Sequence, residues 1–128
     1  MLGRYRVHPT LPAADMARAR RFYEDVLGFE PSAELPGGVM YGAGEGSRFL
    51  VFPSSGKPSG DHTQVGITVD DLPTTVRELE SRGVTFEDYD FPQFDRATHV
   101  ATFPANRSAW FKDTEGNLLG IVQFVGQG

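Results

Sequence analysis

The chain contains two similar halves held at a constant offset of 56 residues: His8 matches Gln64 (64 − 8) and Asp15 matches Asp71 (71 − 15). In the first half, Val7-His8-Pro9-Thr10-Leu11 reads as a strand and Asp15 as a helix N-cap. Met16, Ala19, Phe22, Tyr23, Val26 and Leu27 then recur at helical spacing, and Gly28 closes the helix. In the second half, Gln64-Val65-Gly66-Ile67-Thr68-Val69 alternates as a strand does, and Asp71 takes the capping position. Leu72, Val76 and Leu79 mark one helical face, Pro73 falls in the first turn where its missing N–H does no harm, and Gly83 ends the helix. The same order of strand, cap, helix and terminal glycine twice over restricts the chain to folds built from two equivalent modules.

Short strands are expected after each helix. After the first come Val39-Met40-Tyr41 and Arg48-Phe49-Leu50-Val51-Phe52, joined by the turn Gly42 to Ser47. After the second come Thr85-Phe86-Glu87, Ala109-Trp110-Phe111-Lys112, and Leu118 to Phe124, the last two joined by Asp113-Thr114-Glu115-Gly116-Asn117. By the internal repeat each half is read as strand–helix–strand–strand–strand, two of the three later strands being marked in the first half. The fold class is α+β, a single domain over 1–128. Module one spans about 4–53, a Pro/Ser/Gly-rich linker 54–62, and module two about 63–126. Phe91 to Ser108, with Pro92 and Pro104 among aromatics, reads as a long loop or partly ordered strand.

Composition excludes several classes of function. There is no cysteine, so disulfides, thiolate metal sites and a cysteine nucleophile are ruled out. The net charge of −5 lacks the basic excess of a nucleic-acid binder. No apolar run approaches the ~20 residues of a membrane helix. The opening Met1 to Arg6 lacks a signal peptide's apolar block, so a cytoplasmic location without membrane attachment is expected. Gly42, Gly44 and Gly46 are followed by a strand pattern rather than a helix, which removes the geometry of a phosphate-binding loop. No nucleophile elbow is present.

The run Val7-His8-Pro9-Thr10-Leu11-Pro12-Ala13-Ala14-Asp15-Met16, followed by Phe22-Tyr23-Glu24-Asp25-Val26-Leu27-Gly28-Phe29, resembles the opening of vicinal oxygen chelate proteins. These form the glyoxalase, bleomycin-resistance and dioxygenase superfamily. Val69-Asp70-Asp71-Leu72 and Phe111-Lys112-Asp113-Thr114-Glu115-Gly116-Asn117 look like the signatures of its second module. The resemblance covers nearly the whole chain. It implies two βαβββ modules whose mixed sheets curl into an open cup, helices outside and a ligand cleft inside, commonly in a homodimer.

The resemblance also locates four ligand slots, which in metal-dependent relatives hold His or Gln on the first strand of each module and Glu on the last. Here the slots contain His8, Leu50, Gln64 and Gly120, so both carboxylates are missing. One imidazole and one neutral amide fall short of the three protein ligands typical of a catalytic metal, and leave its charge uncompensated. No metal or other cofactor is expected, which weighs against chemistry that polarises an oxygen through a metal.

Strand alternation places His8, Gln64, Gly66 and Thr68 toward the cleft if Val7, Leu11, Val65, Ile67 and Val69 face the helices. His8 is the best-placed proton acceptor, because its reference pKa is near neutral. Gln64 suits a hydrogen-bond anchor, and Trp110, whose N–H needs a partner, suits a pocket edge. Tyr41, Phe52 and Trp110, with Phe91, Phe94 and Phe103, could build a flat-walled pocket, and Arg48 could meet an anionic group. Ordinary core packing competes for each aromatic.

The leading expectation is a metal-independent small-molecule-binding protein that holds an aromatic or antibiotic-like ligand through His8, Gln64, Trp110, Tyr41, Phe52 and Arg48, a bleomycin-resistance-like sequestration. Whether any reaction is catalysed is left open. One alternative is a glyoxalase-like lyase or isomerase, or a dioxygenase, recruiting a metal through His8, Gln64 and a loop residue such as His62 or His99. Another is metal-free acid–base catalysis by His8. One fold hosts many chemistries, so fold alone does not choose between them.

Overall fold

The computed structural model describes residues 1–125. Two compact units divide the chain, Met1–Pro58 and Ser59–Gly128. The expected end of module two at residue 126 lies outside the described residues. No helix is long and apolar enough to cross a membrane among the described residues.

The first unit is a βαβββ module. Strand β1 (Thr10–Ala13) leads to helix α1 (Met16–Arg21), then to β2 (Glu30–Leu35), β3 (Gly38–Gly42) and β4 (Arg48–Pro53). The sheet order is β1-β4-β3-β2, with β1 parallel to β4 and the other neighbours antiparallel. Asp15 caps α1 by accepting from the Arg18 N–H at 3.1 Å. Past Arg21 the helix widens over Phe22–Val26, where the Leu27 N–H reaches the Phe22 carbonyl five residues back at 3.0 Å. Gly28 closes it in the left-handed region at φ 82°.

Strand β1 begins later than the hydropathy suggests. Its ladder opens where the Leu50 N–H reaches the Pro9 carbonyl at 2.9 Å, and Val7, expected against the helix, is 92% exposed. Pro12 is tolerated because β1 is an edge strand: Pro9 and Ala13 bond toward β4, so by alternation Pro12's missing donor faces the free edge. Strand β2 gives no sequence signal, since Glu30-Pro31-Ser32-Ala33-Glu34-Leu35 is exposed throughout and bulges between Pro31 and Ala33.

The core of this unit lies between the sheet and α1. Leu11, Ala13, Val39, Tyr41, Phe49 and Val51 point to the helix side and meet Ala19 and Tyr23. Tyr23, Tyr41 and Phe49 pack mutually with ring centroids 5.2 to 5.8 Å apart.

The second unit repeats the plan with one elaboration. Strand β5 (Val65–Thr68) leads to helix α2 (Leu72–Ser81), then to β6 (Phe94–Asp95), β7 (Val100–Thr102), β8 (Asn106–Lys112) and β9 (Leu118–Phe124), in the order β5-β9-β8-β7-β6. Asp71 caps α2 by accepting from the Thr74 N–H, the Gln123 amide oxygen accepts the Leu72 N–H at 2.8 Å, and Gly83 (φ 91°) ends the helix. Thr85 to Glu87 is not a full strand: Phe86 makes a single bridge to Phe111. The outer edge of β8 is shared, with β7 taking Arg107 and Ser108 and the Phe86–Glu87 segment taking Trp110 and Phe111, so neither can extend. The 91–108 stretch supplies β6, β7 and the start of β8. Leu72, Val76, Val84, Phe86, Ala109, Phe111, Leu119 and Ile121 form the buried core.

Candidate functional site

Each sheet buries one face under its helix and leaves the other open, and the open faces carry the expected site residues other than Tyr41. On the first unit that face presents Thr10, Pro12, Met40, Arg48, Leu50 and Phe52, by strand alternation against the buried set. Arg48 is exposed, while Leu50 and Phe52 are half-buried. His8 stands exposed ahead of β1, with no hydrogen-bond partner among the described residues.

Tyr41 does not join this face. It is fully buried on the helix side, and its hydroxyl donates to Glu24 Oε2 at 2.8 Å. The same oxygen accepts from Arg20 Nε at 2.8 Å, and Arg20 Nη1 reaches Glu34 Oε1 at 2.8 Å. The Arg20 hydrogen bond holds the Glu24 carboxyl below its ordinary range, against the opposing effect of burial, and the Tyr41 hydroxyl adds to the lowering. Burial, followed by the Glu24 hydrogen bond, pushes the Tyr41 phenol up and keeps it protonated. The expectation of Tyr41 as a pocket wall fails because its strand parity puts it opposite Leu50, with Val39.

On the second unit the open face is aromatic. Gly66, Gly120 and Trp110 form one cross-strand row; Thr68, Val122, Ser108, Ala101 and Phe94 form the next. The indole of Trp110 crosses Gly120, and its Nε1–H donates to Thr63 Oγ1 at 3.0 Å. Tyr89 stands edge-on to Trp110 (5.3 Å, 87°) and to Phe94 (5.8 Å, 86°). Phe91 extends the group to Phe103 in a stacked pair (6.2 Å, 16°). All five rings are half-buried, intermediate between core and solvent. Burial, with the Glu87 charge secondary, raises the Tyr89 phenol. Tyr89 was not singled out in the sequence; its position between the Phe86 bridge and the 91–103 aromatics is the signal that could have found it.

Gln64 is committed to the framework. Its Nε2 donates to Asn117 Oδ1 at 3.0 Å, and its Oε1 accepts from the Leu118 N–H at 3.2 Å. Asn117, fully buried, donates through N and Nδ2 to the Asp113 carboxylate at 2.8 and 2.7 Å. The amide thus staples β5 to the β8–β9 turn.

The four slots do not form a donor set for a divalent ion. Leu50 and Gly120 carry no donor, the Gln64 oxygen is already an acceptor within the fold, and the Trp110 indole lies over the glycine position. Among the described residues no group of three His, Asp or Glu side chains is arranged to hold a metal ion. His62 is exposed beside Ser59, and His99 lies between Asp88 and Glu80, away from these slots in the sheet.

A family model for the Glyoxalase/Bleomycin resistance protein/Dioxygenase superfamily matches residues 6–121. The chain belongs to this superfamily. Among solved structures, this superfamily member is similar to TnmS3, an antibiotic binding protein from Streptomyces sp. CB03234 (23% identity, TM-score 0.71, 94% of this chain and 97% of that one). It is also similar to a glyoxalase/bleomycin resistance protein from Streptomyces sp. CB03234 (24%, TM-score 0.64, 88% and 94%). A third likeness is to a glyoxalase/bleomycin resistance protein/dioxygenase from Alicyclobacillus acidocaldarius (19%, TM-score 0.68, 93% and 90%). At these identities the likeness establishes the fold. No curated protein sequence matches the chain.

Proposed function

We propose that this superfamily member binds a planar aromatic, antibiotic-like molecule and sequesters it without a metal ion and without chemical change. The observation that carries the reading is the half-buried indole of Trp110, set against Gly120 and braced by Thr63 and Tyr89. A rigid ring held by its own framework gives contact area at little entropic cost on binding. The antibiotic-binding neighbour TnmS3 supports the same ligand class.

The donor chemistry argues against the metal-dependent alternative, since neither unit brings a carboxylate to its slot positions. Acid–base catalysis by His8 finds no support in a second group that would orient the imidazole among the described residues. His8 and Arg48, both exposed, remain available as polar contacts to a ligand. The reading places the protein in the cytoplasm as a homodimer, with the exposed Met1, Leu2, Tyr5 and Val7 as apolar surface for a second copy to cover.

Trp110 is the sole tryptophan, so its fluorescence reports on the site. Bleomycin and a panel of planar aromatic antibiotics are titrated into chelator-treated protein. At least one is expected to quench the emission saturably, to bind about tenfold or more weakly to Trp110→Ala by calorimetry, and to be recovered unchanged. A ligand indifferent to Trp110, or converted by the protein, would overturn the reading.

A further inference from the structure

The second unit holds a cavity of about 350 Å³ on the helix side of its sheet, on the opposite face from Trp110. One wall is a stripe of α2 bearing Pro73, Val76, Arg77 and Glu80; the other is formed by the 95–98 turn, Val100 and Thr102 of β7, and Arg107 of β8.

The charges in this cavity are not equivalent. Its carboxylates already have partners: Glu80 Oε2 lies 3.4 Å from His99 Nε2, and Asp95 Oδ1 accepts the Ala97 N–H at 2.9 Å. The guanidiniums have little or nothing. Arg107 has no hydrogen-bond or ion-pair partner among the described residues, and Arg77 makes only a 3.4 Å contact to Thr74 Oγ1. What sets these two apart from the lone arginines of the exposed surface is that both line one concavity. The wall facing them is fixed in advance. His99 holds a left-handed backbone (φ 63°), its N–H bonds the Asp95 carbonyl at 2.8 Å, and its ring is clamped by Asp88 at 2.6 Å and stacked on Phe86.

We propose that this cavity is a second binding site, for a small organic monocarboxylate. A guanidinium's planar fork matches a carboxylate, and Pro73, Val76, Ala97 and Val100 offer an apolar bed for the rest of the molecule. With Arg77 and Arg107 offset by Glu80 and Asp95, the lining is neutral overall, which favours a single negative charge over a phosphate dianion.

The test is titration of the full ¹⁵N-labelled chain with phenylacetate, phenylacetamide and inorganic phosphate, followed by amide shifts. Phenylacetate is expected to shift residues 76–80 and 97–102 saturably, with phenylacetamide and phosphate each bound about tenfold or more weakly. Arg107→Gln should weaken phenylacetate by about tenfold. Arg77→Gln, at an exposed helix position, should do the same without disturbing the fold. Trp110→Ala should leave this binding unchanged, which separates it from the site on the other face. Equal binding of acid and amide, binding that survives Arg77→Gln unaltered, or shifts confined to the Trp110 indole would each overturn the proposal.

Discussion

Trp110 and Gly120 are cross-strand partners, and the indole closes the space beside the glycine: a Cβ at Gly120 would stand 3.3 Å from both Cδ1 and Nε1 of the ring and 3.1 Å from Thr63 Cγ2. A residue that reads in the sequence as a ligand slot emptied of its carboxylate is therefore a packing position that the tryptophan requires. Gly120→Ala is expected to destabilise the fold by about 1–3 kcal/mol through overpacking, because Thr63 and Tyr89 keep the ring from retreating. In a Trp110→Ala background the same change should cost markedly less, because Thr63, exposed and released from the indole N–H, can turn away. A double-mutant cycle by urea unfolding measures this coupling, and strict additivity would remove the contact from consideration.

Gln64 should behave as a staple. Gln64→Ala is expected to cost about 1–2 kcal/mol, and Asn117→Ala about 1–3 kcal/mol, since it leaves the Asp113 carboxylate and the Gln64 amide short of partners in a buried turn. Chemical denaturation decides the matter. Unchanged stability in Gln64→Ala, paired with lost ligand affinity, would return the residue to the binding face.

The Arg20–Glu24–Tyr41 network predicts a pH dependence. Glu24's folded-state pKa lies below its ordinary value of 4.5, so its contribution is present above that value and is lost as pH falls through the lowered one. The stability advantage of the native protein over Glu24→Gln should hold between pH 7 and 5 and shrink steadily below pH 4.5. A difference that does not vary with pH would contradict the assignment.

Metal should make no difference to the folded state. Any ion that binds the native protein preferentially raises its melting temperature in proportion to ln(1 + [L]/Kd). Nickel, zinc, manganese and ferrous iron are expected to leave thermal unfolding of the full chain unshifted, and chelation likewise. Stoichiometric metal that is lost on His8→Ala would restore the enzyme alternatives.

Much of this architecture was legible beforehand because its signals are local. Asp15 and Asp71 cap helices through side chains three residues from their targets, and Gly28 and Gly83 adopt the left-handed turn that ends them. Strand alternation correctly put Arg48 with Leu50 and Phe52, and Gly66 with Thr68. Strand β2 was illegible because an exposed edge strand buries nothing and so leaves no hydropathy pattern. The site was harder still. Tyr41 and Trp110 are both aromatics on the next-to-last strands of their modules, yet one is fully buried beside Glu24 and the other covers a glycine on the open face.

Capping, periodicity and turn chemistry act over a few residues and repeat at one offset, so the residues near one another in the chain set the twofold order of strand, capped helix and following strands, β2 excepted. The use made of each polar group was settled by long-range packing. Whether Gln64 meets a ligand or Asn117, and whether Arg107 is paired or open in a cavity, depends on partners tens of residues away, and a side chain's free valences are settled only when those partners arrive.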